Sequence, residues 1–162
     1  WIIIILGVDP GTATTGWGVV KNSRGNSVEC ISYGCITTGK EKKPGDRLVI
    51  LEKELTQVLR KYGPDSVVVE RLYFFKNLKS AMPVSEARGV ILLAIAKKKL
   101  PVFELTPLQA KMAITGYGRA DKKQMQRMVQ KILGLTQLPK PDDAADALGL
   151  AIAGVLLTKG FK

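Results

Sequence analysis

Two apolar runs that each end in an acid limit what this chain can fold into. Residues 2–9 read IIIILGVD and residues 67–70 read VVVE. Runs this short, rich in Ile and Val, predict strands buried on both faces. Asp9 and Glu70 then stand at strand ends, where a bare carboxylate is costly to desolvate. Between the two runs, Leu48, Leu51, Leu55 and Leu59 recur at helical spacing. Asp46 is the expected N-cap of this helix and Gly63-Pro64 its stop, giving a helix over about 46–62. Strand, helix and strand in succession predict a crossover. That crossover sets the strand at 65–71 parallel to an earlier one.

The rest of the chain fills in around this unit. Residues 11–18 read as a turn rich in Gly and Thr, residues 17–21 as a second strand and 27–37 as a third, with connections short enough for antiparallel hairpins. Residues 40–45 form a charged loop. A helical pattern runs from after Asn77 to about 99, interrupted at Pro83. A strand follows at 101–105, then helices over about 106–114, 121–133 and 142–157, with a loop at 138–141. The order is α/β: a mixed five-stranded sheet, its first three strands antiparallel, flanked by helices. With 162 residues and no repeat or linker, a single domain over 1–162 is expected.

A net charge of +11 favours an anionic partner, nucleic acid foremost. The chain has no histidine, which excludes Ser-His and Cys-His mechanisms and a histidine-ligated metal. Its two cysteines, Cys30 and Cys35, are five apart on a strand. Odd spacing predicts opposite faces and no mutual disulfide. Few cysteines suit a reduced, cytoplasmic protein. The first apolar run is too short to cross a bilayer.

The final helix opens PDDAADALGLAIAG. Asp143 and Asp146, three apart, share one face. Ala144, Ala145, Ala147 and Ala151 let that helix approach a sheet closely. Acids in a first helical turn are common for dipole reasons alone, which accounts for Asp142 and Asp143 taken singly. Asp146 lies a turn deeper, among residues that read as buried. If this helix meets the sheet edge carrying Asp9 and Glu70, four carboxylates converge. Unpaired they would repel, and pairing with Arg71 or Arg88 is one relief. Hard divalent cations are the better one: oxygen-only ligation suits Mg²⁺ or Mn²⁺, and two such ions about 4 Å apart serve phosphodiester hydrolysis.

GVDPGTATTGWGVV, VVVERLYFFKN, SEARGV and DDAADALGLA, in this order, closely resemble the RuvC family of Holliday-junction resolvases. The DPG-x₄-G element alone recurs in ribonuclease H-like and actin-like folds. The E-x₅-KN, ARG and D-AAD-A elements together are specific. The resemblance covers essentially the whole chain. It implies a ribonuclease H-like fold, a homodimer, and Mg²⁺-dependent paired nicks across a four-way DNA junction, in recombination and repair. It also implies that Asp9, Glu70, Asp143 and Asp146 are catalytic and hold metal, two ions per site. Many members carry histidine where this chain has Asp143.

The same resemblance puts the family's junction-probing aromatic on Tyr73, beside Phe74, and DNA-contacting lysines on Lys111 and Lys122. An exposed aromatic can stack on an unpaired base, while an aromatic run usually includes buried members. Lys122 and Lys123 stand in a first helical turn, where cations are slightly unfavourable, and Gly116 and Gly118 just before them permit close backbone approach to a ligand. Lys76 and Arg88 are further candidates for DNA contact, Arg88 also as a partner for the acids. A branch-migration helicase is an expected partner. The competing readings are an actin-like ATP-binding protein, a junction-binding module without activity, and an RNA-processing nuclease of the same fold. The first fails for want of a second phosphate loop. The intact acids argue against the second, and the DDAADALGLA element with the aromatic loop argues against the third.

Overall fold

The computed structural model describes residues 2–24, 27–72 and 78–158. Strands β1 (Ile4–Asp9), β2 (Thr14–Asn22) and β3 (Val28–Thr37) lead to helix α1 (Pro44–Tyr62). Strand β4 (Ser66–Glu70), helix α2 (Leu78–Lys97) and strand β5 (Val102–Leu105) follow, then helices α3 (Pro107–Thr115), α4 (Lys122–Leu133) and α5 (Asp142–Thr158). The sheet order is β3-β2-β1-β4-β5. β1 pairs antiparallel with β2 and parallel with β4, as the crossover requires.

Strand alternation sorts the core into two layers. Leu6, Val8, Val67 and Val69 face α1 and α2, where they meet Leu51, Leu55, Ile91 and Ile95. Ile5 and Val68 face the other way, toward Leu148, Ala151 and Ile152 of α5. Helices α3 and α4 cover the outer side of α5 through Ile114 and Val129. That explains a helix buried almost without interruption from Ala144 to Val155. Each large side chain so buried contributes about 1.5–3 kcal/mol.

Glycine in the sheet sets how close α5 comes. A Cβ at Gly7 or Gly16 would overlap the main-chain carbonyl of Ala147 or Asp143, and one at Gly18 would run into Leu148. This also corrects the second strand, which starts at Thr14 rather than 17. Gly16 and Gly18 are strand residues chosen for the helix above them, with Gly16 opposite Asp9 and Gly18 opposite Gly7.

Three other expectations change. Helix α1 starts earlier than Asp46: Pro44 occupies its first turn and Lys43 is an N-cap without a side-chain bond, leaving Asp46 as a first-turn acid. Cys30 and Cys35 are free but share a face. The pairing slips between Val19 and Val20, leaving Ile31 as the extra residue of a bulge. Cys30 therefore packs in the α5 layer, and Cys35 accepts a backbone hydrogen bond from Ala144. Their partners Val20 and Gly16 are four residues apart on β2, about 13 Å, which is what forbids a disulfide. Gly116 and Gly118 have internal reasons: the first caps α3 at φ 71°, and the second makes room for Leu108 and Met112.

Candidate active site

Register brings the first two acids together. Val8 pairs with Val69, so Asp9 and Glu70 are the next residues along two adjacent parallel strands. Parity then turns both carboxylates to the α5 layer, since Ile5, Gly7 and Asp9 alternate with Leu6 and Val8, and Val68 and Glu70 alternate with Val67 and Val69. The first turns of α5 lie against this edge because Gly16 admits Asp143. Asp9, Asp143 and Asp146 each offer a carboxylate oxygen, and the three lie within 4.8 Å of one another. Glu70 joins them through a hydrogen bond with Asp9.

The electrostatics follow from this crowding. Burial, then the Glu70 carboxylate, then Asp146 and Asp143 push the Asp9 carboxyl up to about 9. Asp146 rises to about 6, again mainly through burial, with Lys122 opposing the shift and Glu70, Asp143 and Asp142 adding to it. No ion pair within 4 Å relieves Asp9, Glu70, Asp143 or Asp146 among the described residues. The expected alternative of pairing with Arg71 or Arg88 is thus not what the structure builds. Arg88 instead pairs with Glu104 of β5, in a neighbouring hollow that Arg71 and Ser85 also line.

Beside the acids opens a hollow of about 230 Å³, lined by Glu70, Asp146, Lys111 and Lys122. Pro107, Ala110, Met125 and Leu150 complete it. Lys111 projects from α3. Lys122 comes from the first turn of α4, which a reciprocal Asp121–Gln124 capping box starts. Lys122 bonds Asp142 at 3.2 Å, and that contact raises the lysine above its ordinary range while lowering Asp142. Gln126 donates to the other Asp142 oxygen at 3.1 Å. Asp142 is therefore the partner of Lys122, and Asp143 is the acid that faces Asp9. Lys123 is exposed on the same turn.

Tyr73, Phe74 and Lys76 lie outside the described residues. Sequence reading passed over the partners Glu104 and Asp142, because nothing in spacing reveals which distant cation an acid will meet. It also passed over Arg47 of α1, whose guanidinium binds the loop that leaves Asp9. A cation in the first turn of a helix was the available signal.

The family model described as Crossover junction endodeoxyribonuclease RuvC matches residues 5–154. The chain belongs to the RuvC family. It is 48% identical over 152 residues to the Crossover junction endodeoxyribonuclease RuvC of Caldicellulosiruptor saccharolyticus, spanning 94% of this chain and 92% of that one. The RuvC of Ruminiclostridium cellulolyticum is 50% identical over 150 residues, 93% of this chain and 90% of the relative. Among solved structures, that of Thermus thermophilus RuvC in complex with Holliday junction substrate superposes with a TM-score of 0.93 at 29% identity, over 98% of this chain and 96% of that one. The ribonuclease H-like architecture expected of a RuvC protein is the one found. No helix among the described residues is long and apolar enough to cross a membrane.

Proposed function

We propose that this protein is a Mg²⁺-dependent endonuclease that resolves four-way DNA junctions by paired symmetric nicks. One observation carries the reading: Asp9, Glu70, Asp143 and Asp146 meet at one sheet edge, without an ion pair among the described residues, in a chain of this family. A hard divalent cation suits them. The donors are carboxylate oxygens only, and burial together with the Glu70, Asp146 and Asp143 carboxylates makes Asp9 hold a proton far above its ordinary range. Two Mg²⁺ per site, or Mn²⁺ in their place, would be held by the four acids. Bound ions would supply Lewis-acid activation of water and stabilisation of the leaving oxygen, giving 5′-phosphate and 3′-hydroxyl ends.

The chain's own groups do the rest. Lys122 is held in its ammonium form by Asp142 and faces the hollow with Lys111, so both can bind phosphate oxygens and offset charge gathering there in the transition state. Lys123 and Lys76 would add attraction along the backbone. Arg88 would contribute only by exchanging Glu104 for a phosphate. Tyr73 and Phe74 would stack on bases at the crossover.

A two-fold junction calls for two such sites, hence a homodimer, with the whole of 1–162 acting as one nuclease domain. Met82 and Leu93, exposed on α2, offer apolar surface for that contact. A cytoplasmic setting and a branch-migration helicase partner complete the reading.

The test is a labelled four-way junction incubated with Mg²⁺ or EDTA, beside a Glu70→Gln variant. Paired symmetric nicks that need both Mg²⁺ and Glu70 are expected. Tight junction binding without cutting would instead mark a binding module, and equal action on duplex or RNA another nuclease of this fold.

A further inference from the structure

The loop that carries the chain away from Asp9 is tied down at three successive carbonyls, those of Gly11, Thr12 and Ala13. Thr15 donates its hydroxyl to Gly11 O at 3.3 Å, and the Thr38 amide donates to Ala13 O at 2.9 Å. Thr12 O accepts twice, from the Thr38 hydroxyl at 3.1 Å and from Arg47 Nη2 at 2.8 Å. Arg47 Nε in turn donates to the Thr38 hydroxyl at 3.0 Å, which closes a ring of Arg47, Thr38 and Thr12. Thr38 is buried, at 6% exposure.

Arg47 is an unusual choice for its position. It stands near the start of α1, where the helix dipole disfavours a cation. It forms no ion pair within 4 Å among the described residues, so no carboxylate explains it. Among the described residues the charges acting on Asp9 are those of Glu70, Asp146 and Asp143, and Arg47 is not among them. Its planar fork spans Thr12 and Thr38 at once, a geometry an ammonium cannot reproduce.

We propose that Arg47, acting through Thr38 and Thr12, is a positioning residue that fixes the loop leaving Asp9 and so holds the Asp9 carboxylate in its place among the other acids. The role rests on Asp9 being a metal ligand, as proposed above. Groups that hold a ligand from behind fix its orientation where it would otherwise turn toward the ion in several ways. The clamp acts on the loop just past β1: Asp9, opposite Gly16, is the last residue of its strand, and the residues that follow it are held by these side-chain bonds instead of by strand pairing. A rival role exists for the same side chain. Arg47 and Thr12 also line a shallow depression with Lys79, Ser80 and Pro83, where a DNA phosphate could sit.

Arg47→Ala, Arg47→Lys and Thr38→Val separate the two roles, since Thr38→Val breaks the ring and leaves all charges in place. Three quantities are read on each protein: Mn²⁺ binding to metal-free protein by electron paramagnetic resonance, junction Kd in EDTA, and single-turnover cleavage at saturating junction. Asp9→Asn and thermal melts are the controls. The expected result is that all three variants lose about 10- to 100-fold in Mn²⁺ affinity or cleavage rate. Junction Kd should stay within about threefold, and Arg47→Lys should not rescue. A tenfold weaker junction Kd for Arg47→Ala, with normal Mn²⁺ binding and a silent Thr38→Val, would overturn the clamp in favour of a phosphate contact. Unchanged Mn²⁺ binding and cleavage in Thr38→Val would overturn it too, even if Arg47→Ala failed to fold. Wild-type protein that binds Mn²⁺ no better than Asp9→Asn would sink the metal reading itself, and the clamp with it.

Discussion

Gly16 lies directly beneath Asp143: a Cβ on Gly16 would overlap the Asp143 carbonyl oxygen, and its next neighbours are backbone atoms too. Backbone cannot rotate aside, so Gly16→Ala must shift the first turn of α5, and Asp143 and Asp146 ride on that turn. Cleavage should fall about 100-fold, the order expected of an ångström-scale misplacement. Overpacking should cost about 1–3 kcal/mol of stability. Gly45→Ala is the control, because a Cβ there meets nothing within 4 Å. It should change stability by less than about 1 kcal/mol and leave cleavage alone. Equal activity of the two variants would mean that α5 is not held at its height by the glycine.

The crowded acids make metal-free protein sensitive to pH. Folded Asp9 titrates at about 9, against 3.8 ordinarily. Below 3.8 both folded and unfolded chains carry the proton, and the stability is fully present. As pH rises, the unfolded chain releases the proton first, so stability declines until the folded pKa of about 9 is passed. Asp146, at about 6, adds a loss of the same sign over a narrower window. In EDTA the melting temperature should therefore drop from pH 5 to pH 8. Asp9→Asn should melt higher than wild type at pH 8 and show a shallower slope, while losing cleavage. Parallel slopes in the two proteins would show that Asp9 ionises freely in the fold.

The Asp121–Gln124 capping box holds the turn from which Lys122 reaches the hollow. Asp121→Ala should cost about 1 kcal/mol in a denaturant melt. If the turn positions Lys122 for a phosphate, junction Kd should also rise, and the rise should vanish when Lys122→Ala is the background. Additive effects would show that the cap and the lysine act separately.

How much of this was readable beforehand divides along physical lines. Strand period and helix period are local, so β1, β4 and α5 could be placed from Ile and Val runs and the alanine pattern. Parallel pairing of β1 with β4 followed from the crossover, and with it the meeting of Asp9 and Glu70. What escaped depends on distant neighbours. Gly16 and Gly18 looked like a turn because a glycine that admits a helix carries the same letter as one that turns a chain. Cys30 and Cys35 were assigned opposite faces because a bulge at Ile31, set by strand pairing, shifts parity without altering spacing. Arg88 finding Glu104, and Lys122 finding Asp142, were equally invisible.

Asp142 and Asp143 are the hardest pair to tell apart by sequence, and their surroundings separate them. Asp142 is exposed and bound to Lys122 and Gln126, while Asp143 brings an oxygen within 4.8 Å of Asp9 and Asp146. Their amide variants should behave oppositely. On the proposed metal reading, Asp143→Asn should lower cleavage by about 100-fold or more and weaken Mn²⁺ binding, because it removes a charged carboxylate from the cluster. Asp142→Asn should keep Mn²⁺ binding and stay within about threefold in cleavage rate, since an exposed ion pair is worth only about 0–1 kcal/mol. Its signature lies elsewhere. Without the Asp142 carboxylate, the Lys122 ammonium should titrate lower than in wild type, readable by NMR of labelled lysine. Loss of Mn²⁺ binding in Asp142→Asn but not in Asp143→Asn would reverse the assignment and put the first residue of α5 in the metal cluster.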